Sequence, residues 1–309
     1  MAVRDRMLHA VFFHDDPVQY LEGVGRWVAE GLAAGEPVLI TADAADNEAI
    51  RGALGPAAYA VQFADAAVVG ANPARTIAAV RAFVAAGGGR RVRALAALMW
   101  PGRTPAQRGE VIAHEAVANL AFADCPVSFL CPYDTSVLPA EVLAEARRVH
   151  PHMWTAHGHA DCPQYDIDEL LIGGHPPPQR DPLAEPLAVI VDLAGSARLR
   201  TRVGEIAEDA GLSARRRDEF VVAVNEVVSN ALVHSPHPAV VRRGRDRDEG
   251  SLVVEVATAG CITDPLVGRE LPRDAGGGRG LWIVNQLCDL VETRSGPWGT
   301  LTRLHVHLP

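Results

Sequence analysis

The chain has 309 residues, 48% hydrophobic and 22% charged, with a formal net charge of -9. This is the balance of a soluble globular protein with length for two domains, and its acidic surplus argues against direct nucleic-acid binding, which draws on clustered basic residues. All 29 basic residues are arginine, which excludes a Walker A lysine, a Schiff-base lysine and a protein-kinase β3 lysine together. No run approaches the ~20 apolar residues that span a bilayer, and the start MAVRDRMLHAVFF lacks a signal-peptide h-region. A cytoplasmic protein without membrane contact is therefore expected. Cys125, Cys131, Cys162, Cys261 and Cys288 form no CxxC pair and no even framework, so reduced thiols are expected.

From Leu8 onward, short apolar runs alternate with helical patterns: LHAVFF, Pro17 to Ala34, PVLIT, Asn47 to Leu54, YAVQF, Pro73 to Ala86, VRALAAL, Pro105 to Phe122, VSFLC and Pro139 to Val149. Five strands with intervening helices predict a parallel sheet covered on both faces. Ligands bind such sheets at the loops that follow the strands, which here read FHDDP, MWPGRTP and CPYDTS. The blocks VAEGLAAGEPVLI, NPARTI, WPGRTP, HEAVANLAF and CPYDTSVLPAEVLAEAR resemble the MEDS sensory domain family, over about Leu8 to Pro151. EGLAAGEPVLIT also resembles a piece of RecA-like clock ATPases. Where those carry GxxxxGK[ST], this chain has His14-Asp15-Asp16-Pro17-Val18-Gln19-Tyr20, whose acidic pair would repel a triphosphate. The expectation is a RecA-like scaffold that has lost nucleotide binding and senses an unknown small ligand. His14, Asp15, Trp100, Arg103, His114, Glu115, Cys131, Tyr133 and Asp134 lie in blocks at or near the expected ligand face, with Tyr133-Asp134 the best candidates for contact.

Between Pro151 and Pro186 periodicity lapses into proline-rich sequence, read as a linker over 152–186 with one short helical segment at Ile167 to Ile172. His150, His152, His157, His159 and Cys162 crowd there, either as metal ligands or as a His-rich linker; their spacing fits no standard zinc finger.

From 187 to 309 the chain reads as a second domain. A strand LAVIVD leads to Ser196 as a helix cap, then to a stripe of Leu199, Val203, Ile206 and Ala210. Ser213 caps the next helix, and strands are expected at Ala239 to Arg242, Leu252 to Ala257, Leu290 to Arg294 and Leu301 to Leu308. The stretch RRGRDRDEG reads as a solvated hairpin tip. The central helix runs from Asp218 to Ser235, with Phe220, Val224, Val227, Val228 and Ala231 as its apolar stripe. Glu226, Asn230 and His234 follow at four-residue steps, a polar column beside that stripe. Later, Gly276-Gly277-Gly278-Arg279-Gly280 opens a second apolar-periodic helix, Leu281 to Leu290, and amides approached through glycine suit an anion.

Glu226-x-x-x-Asn230-Ala231-x-x-His234 followed by GGGRGLWIV resembles the N box and G2 box of the GHKL ATPase superfamily, in wording closest to its anti-sigma-factor serine kinases. The resemblance implies a GHKL (Bergerat) α/β sandwich binding ATP and Mg²⁺. It assigns Asn230 to Mg²⁺, Glu226 to the base, and His234, Gly276, Gly277, Gly278, Arg279, Gly280 and Leu281 to the nucleotide. Where the family's G1 box has Asp-x-Gly, this chain has Thr258-Ala259-Gly260, and a basic residue common before the last N-box position is Val233. Threonine still accepts a hydrogen bond, but without charge, so discrimination at the adenine falls by ~1–3 kcal/mol and weak ATP binding is expected.

The organisation expected is a RecA-like parallel α/β sensory domain (1–151), a linker, and a GHKL sandwich (187–309). The expected function is a transcription regulator whose sensor controls an ATP-binding anti-sigma module acting on a sigma factor or a STAS-type anti-anti-sigma protein. If active, it is a serine/threonine kinase. A partner-binding module with a degenerate nucleotide pocket is the first alternative. A histidine kinase is the second, ranked low because a proline-rich stretch stands where the dimerising hairpin belongs. A homodimer is compatible with the sequence.

Overall fold

The computed structural model describes residues 7–168, 185–190, 192–271 and 279–309. The chain divides into two compact units, Met1–Ile167 and Asp168–Pro309.

In the first unit, β1 (Leu8–His14), β2 (Val38–Ala42), β3 (Val61–Asp65), β4 (Val92–Ala96) and β5 (Val127–Asp134) are parallel neighbours in the order β3-β2-β4-β5-β1. The connecting helices are α1 (Pro17–Ala33), α2 (Ala44–Leu54), α3 (Ala66–Val69), α4 (Thr76–Ala86) and α5 (Pro105–Ala121), and α6 (Ala140–Val149) follows β5. Period-2 alternation divides the sheet into two buried faces. Ala10, Phe12 and Leu130 join Val24, Trp27 and Val28 of α1 in one core. His9, Phe129, Cys131 and Tyr133 point to the opposite face, towards α5 and the end of α6.

The stretch expected to be linker begins differently. β6 (His152–Thr155) runs parallel to β1, and β7 (Gly158–Asp161) returns antiparallel, giving a seven-stranded sheet. Buried Trp154 anchors this hairpin. Its Nε1 donates to the Gly23 carbonyl at 3.3 Å and its ring lies under the Arg26 guanidinium at 4.8 Å. Neither strand shows an apolar alternation, so only tertiary packing selects them. Of the short helix expected at Ile167 to Ile172, all beyond Asp168 lies outside the described residues.

The second unit is an antiparallel sheet, β8 (Glu185–Ile190), β9 (Ala239–Asp246), β10 (Ser251–Thr258), β11 (Leu290–Gly296) and β12 (Gly299–His307), in the order β11-β12-β10-β9-β8. Helices α7 (Leu193–Asp209), α8 (Ala214–His234) and α9 (Arg279–Leu287) share one core with it. Leu199, Val203, Phe220, Val224 and Val228 meet Val241, Leu252, Val254, Val256, Leu304 and Val306 there, an α/β sandwich. Alternate residues of β10, β11 and β12 bury a polar row: Arg303 Nε donates to Glu255 Oε2 at 2.8 Å, and His305 Nε2 lies 3.0 Å from Glu292 Oε1.

Three local expectations are corrected. Asp192, not Ser196, caps α7, accepting from Gly195 N at 2.6 Å; Ser196 is buried inside the helix, its hydroxyl 3.1 Å from Asn225 Oδ1. The charged stretch RRGRDRDEG is strand through Asp246, because Arg242 to Asp246 pair with β10; only the turn remains as a tip. The helix after the glycine loop stops at Leu287, since β11 begins at Leu290.

Candidate functional site

In the second unit, α8 sets the geometry. Ser213 caps it, accepting from Arg216 N at 3.3 Å, and 21 residues of helix carry Glu226, Asn230 and His234 up one edge of the buried stripe. Glu226 and Asn230 are half-buried and His234 is exposed. Gly280, at the start of α9, faces this column directly: a Cβ there would lie 2.9 Å from Glu226 Oε2 and 3.0 Å from Asn230 Nδ2. A residue without a side chain is what permits so close an approach. Arg279 is exposed and Leu281 buried at the same helix end. Gly276, Gly277 and Gly278 lie outside the described residues.

A cavity of about 440 Å³ opens beside this contact, within the range of small-molecule sites. Asn230 belongs to both, touching Gly280 and lining the cavity with His234, Thr258, Gly260 and Leu281. Glu226 is not among the lining residues; it reaches the helix end instead. On the far wall the loop leaving β10 is pinned in place. Thr300 Oγ1 donates to Gly260 O at 2.7 Å and Ser295 Oγ accepts from Ile262 N at 2.7 Å. Gly260 lies against the end of α8, where a Cβ would come within 3.1 Å of His234 O. Thr258 Oγ1 accepts from Gly260 N at 3.4 Å, a long bond that leaves the hydroxyl free to turn towards a ligand. Sequence reasoning passed over Ile262, Asp264, Thr300 and Thr302, which also line the cavity. They sit in an aperiodic loop and on an alternating strand, where nothing in the spacing marks them.

In the first unit the sensory candidates separate. Cys131 and Tyr133 point inward from β5, and Tyr133 donates to Glu115 Oε2 of α5 at 2.5 Å. Cys131, Glu115 and His114 line a largely apolar cavity of about 380 Å³ between α4, α5 and the sheet. His114 Nε2 stands 2.6 Å from Thr76 Oγ1. Arg103 is buried with its Nε 2.5 Å from Leu98 O and Nη2 2.7 Å from Gly70 O, under the Trp100 ring at 3.5 Å. These bonds tether the loop after β4. Asp134 accepts from Ser136 N and Oγ at 2.8 and 2.6 Å, a turn role, and His14 stacks on Tyr20 at 4.8 Å. Asp16 caps α1, accepting from Val18 N and Gln19 N at 2.7 and 2.9 Å. Its carboxylate fills the anion position that a phosphate would take at this helix start.

Burial dominates the electrostatics of this interior. It pushes the Glu115 carboxyl up to about 7 and the Cys131 and Tyr133 groups well above their ordinary ranges. His9 is driven down to about 4 and His150 well below its ordinary value by the same desolvation. Both histidines stand beside Cys131, a grouping that no sequence motif announces. The His-rich stretch does not act as one cluster. His150 turns inward onto His9, with ring centroids 4.2 Å apart, whereas His152 pairs with Asp161 at 3.4 Å and His159 packs on Trp154. Cys162 Sγ lies 3.2 Å from Arg147 O.

No helix among the described residues is long and apolar enough to cross a membrane. No curated protein matches the chain. Among solved structures, it is similar to the RsbU and RsbW domains of Rv1364c from Mycobacterium tuberculosis, at 19% identity and TM-score 0.31, over 40% of this chain and 32% of that one. It is also similar to the histidine kinase domain of the blue-light activated histidine kinase EL346 from Erythrobacter litoralis, at 22% identity and TM-score 0.24, over 37% of this chain and 60% of that one. The chain thus spans less than two thirds of either. The family model described as MEDS, the methanogen/methylotroph DcmR sensory domain, matches residues 8–151, and that of the histidine kinase-like ATPase domain matches residues 191–306. The chain carries a MEDS sensory domain followed by a histidine kinase-like ATPase domain of the GHKL sandwich type.

Proposed function

We propose that the C-terminal domain binds Mg-ATP in the cavity between α8, the end of β10 and the start of α9, and that the N-terminal domain regulates it in response to a small ligand. The observation that carries this reading is the approach of Gly280 to Glu226 and Asn230, with the cavity opening at Asn230. An amide-bearing helix start brought without a side chain to a carboxylate and a carboxamide suits a phosphate chain and its cation. Asn230 offers the oxygen ligand that Mg²⁺ prefers, and one such protein ligand suffices where phosphates and waters complete the shell. Mg-ATP supplies the phosphoryl group and the neutralisation of its charge. In this reading Glu226 accepts the proton of a partner's serine hydroxyl as that oxygen bonds to the γ-phosphorus and ADP leaves.

The module so formed is an anti-sigma-type serine kinase in the cytoplasm, acting on a STAS-type anti-anti-sigma protein or holding a sigma factor, and thereby controlling transcription. Support for this finer reading comes from the order and wording of Glu226-x-x-x-Asn230-Ala231-x-x-His234 and GGGRGLWIV. A second reading, a partner-binding module without phosphoryl transfer, is favoured by Thr258 in place of Asp and by Val233, 76% exposed, in place of a base. Incubation with labelled ATP and candidate antagonists separates them, since label on an antagonist serine rejects the second and label on a histidine of this chain favours a histidine kinase.

Thr258 also makes a quantitative expectation. Thr258→Asp adds a charged acceptor at the base end of the cavity and should tighten Mg-ATP by roughly 5- to 150-fold, while leaving Mg-GTP unchanged. Calorimetric titration of both nucleotides checks this. Equal effects on both would remove position 258 from the base contact.

A further inference from the structure

The interior of the MEDS domain joins three side chains from distant parts of the chain. His9 of β1, Cys131 of β5 and His150 at the end of α6 bring one nitrogen or sulfur each within 4.8 Å of one another, all buried. Each imidazole is fixed by what its other nitrogen meets. The Asn119 amide donates to the carbonyls of Glu115, Ala116 and Val149, at 3.0, 3.3 and 2.8 Å, which turns its oxygen towards His9 Nδ1 at 3.1 Å. An oxygen there can only accept, so His9 carries its proton on Nδ1 and presents a bare Nε2, 3.5 Å from Cys131 Sγ. His150 Nδ1 stands 2.7 Å from Ala146 O, and the same logic leaves its Nε2 bare as well.

A thiol proton shared with His9 accounts for one of these lone pairs. It does not account for the other. His150 is fully buried, and its Nε2 has no hydrogen-bond partner; Glu115 Oε1, also buried, has none either. The other oxygen of Glu115 lies 3.6 Å from His150 Nε2. Unsatisfied buried polar atoms are costly unless something binds them. A second shell that pins the far nitrogen of each imidazole is what orients histidine towards a metal.

We propose that His9 Nε2, His150 Nε2 and Cys131 Sγ bind a divalent d-block cation of the Zn²⁺ type, with Glu115, which lies outside the three-residue grouping but 3.6 Å from His150 Nε2, swinging in as the fourth ligand. Two imidazoles, a thiolate and a carboxylate are a donor set that favours such ions over Mg²⁺ or Ca²⁺. Around a tetrahedral Zn²⁺ the ligand atoms stand roughly 3.3–3.7 Å apart, so the triad closes on an ion with side-chain adjustments of about 1 Å. The Cys131 proton leaves as the metal–sulfur bond forms, so uptake releases it to solvent. His9, Cys131 and Glu115 also line the 380 Å³ cavity, which places the centre at its wall.

The test uses the full chain without an affinity histidine tag, stripped with chelator and titrated with Co²⁺. One equivalent is expected, with thiolate-to-cobalt charge transfer in the near ultraviolet, displaced by Zn²⁺. Cys131→Ser should abolish the charge transfer and His150→Asn should weaken binding at least ~10-fold. Replacing Cys125, Cys162, Cys261 and Cys288 by Ala should preserve the charge transfer, as should His157→Ala with His159→Ala; circular dichroism reports whether each variant is folded. Absence of charge transfer in the unaltered protein would overturn the proposal. So would one-equivalent binding that survives folded Cys131→Ser and His150→Asn variants. Because the unaltered protein and the variant keeping Cys131 as its sole cysteine give the decisive spectra, a misfolded Cys131→Ser variant leaves the outcome readable.

Discussion

Glu226→Gln is expected to lower phosphoryl transfer to the antagonist serine by roughly 10²- to 10⁴-fold while changing Mg-ATP affinity by no more than a few-fold. The side chain reaches the start of α9 rather than lining the cavity, which in the proposed site sets it beside the phosphates and away from the base. Glutamine keeps the size and the half-buried packing but cannot take a proton. Single-turnover transfer of label from ATP, with an antagonist recovered from the native cell extract, separates the two effects. Loss of binding in parallel with loss of transfer would make Glu226 a positioning group instead of a base.

The second large effect concerns stability. Arg303→Met should destabilise the C-terminal unit by about 3–5 kcal/mol, because it strands the Glu255 carboxylate inside the protein. Both side chains are nearly inaccessible, at 4% and 3%, and their bond is 2.8 Å long. Met matches the arginine stem in volume, so packing alone changes little. Combining Arg303→Met with Glu255→Leu removes the stranded charge and should recover most of the loss. Urea denaturation of the full chain, followed through the transition of this unit, reads both. A single variant as stable as the parent would mean that water reaches Glu255 despite its burial.

Sequence and structure agree where periodicity is strong. The α8 stripe from Phe220 to Ala231, the five parallel strands of the first sheet and the sandwich of the second follow from patterns that local physics imposes. The β6–β7 hairpin escaped because HMWT and GHAD carry no alternation, and it is held by pairing with β1, by Trp154 and by the Arg26 guanidinium donating to the Thr155 and Ala156 carbonyls. Helix ends shifted for a similar reason. Asp192 and Ser196 are both competent caps, and only the packing of Ser196 against Asn225 decides between them.

The two functional regions differ in legibility. Glu226, Asn230 and His234 lie within one helix, so their common edge is visible in the spacing alone. The juxtaposition with Gly280 rests on a long excursion through the sheet, and only the likeness of both motifs to one family anticipated it. The interior of the first unit had no such help. His9 and Asn119 are 110 positions apart, and His9 and Cys131 122, so the cluster exists only once β1 and β5 pair. His150, read with its neighbours in a His-rich stretch, belongs instead to the end of α6 and faces the core.

The most direct test of the proposed nucleotide site is calorimetric titration of the 309-residue chain with Mg-ATP, in parallel with Asn230→Ala. Asn230 is the residue that touches Gly280 and lines the cavity at once, so the account predicts saturable one-to-one heat in the parent and at least ~30-fold weaker binding in the variant. No heat at millimolar nucleotide, or equal affinity in the two proteins, would contradict it.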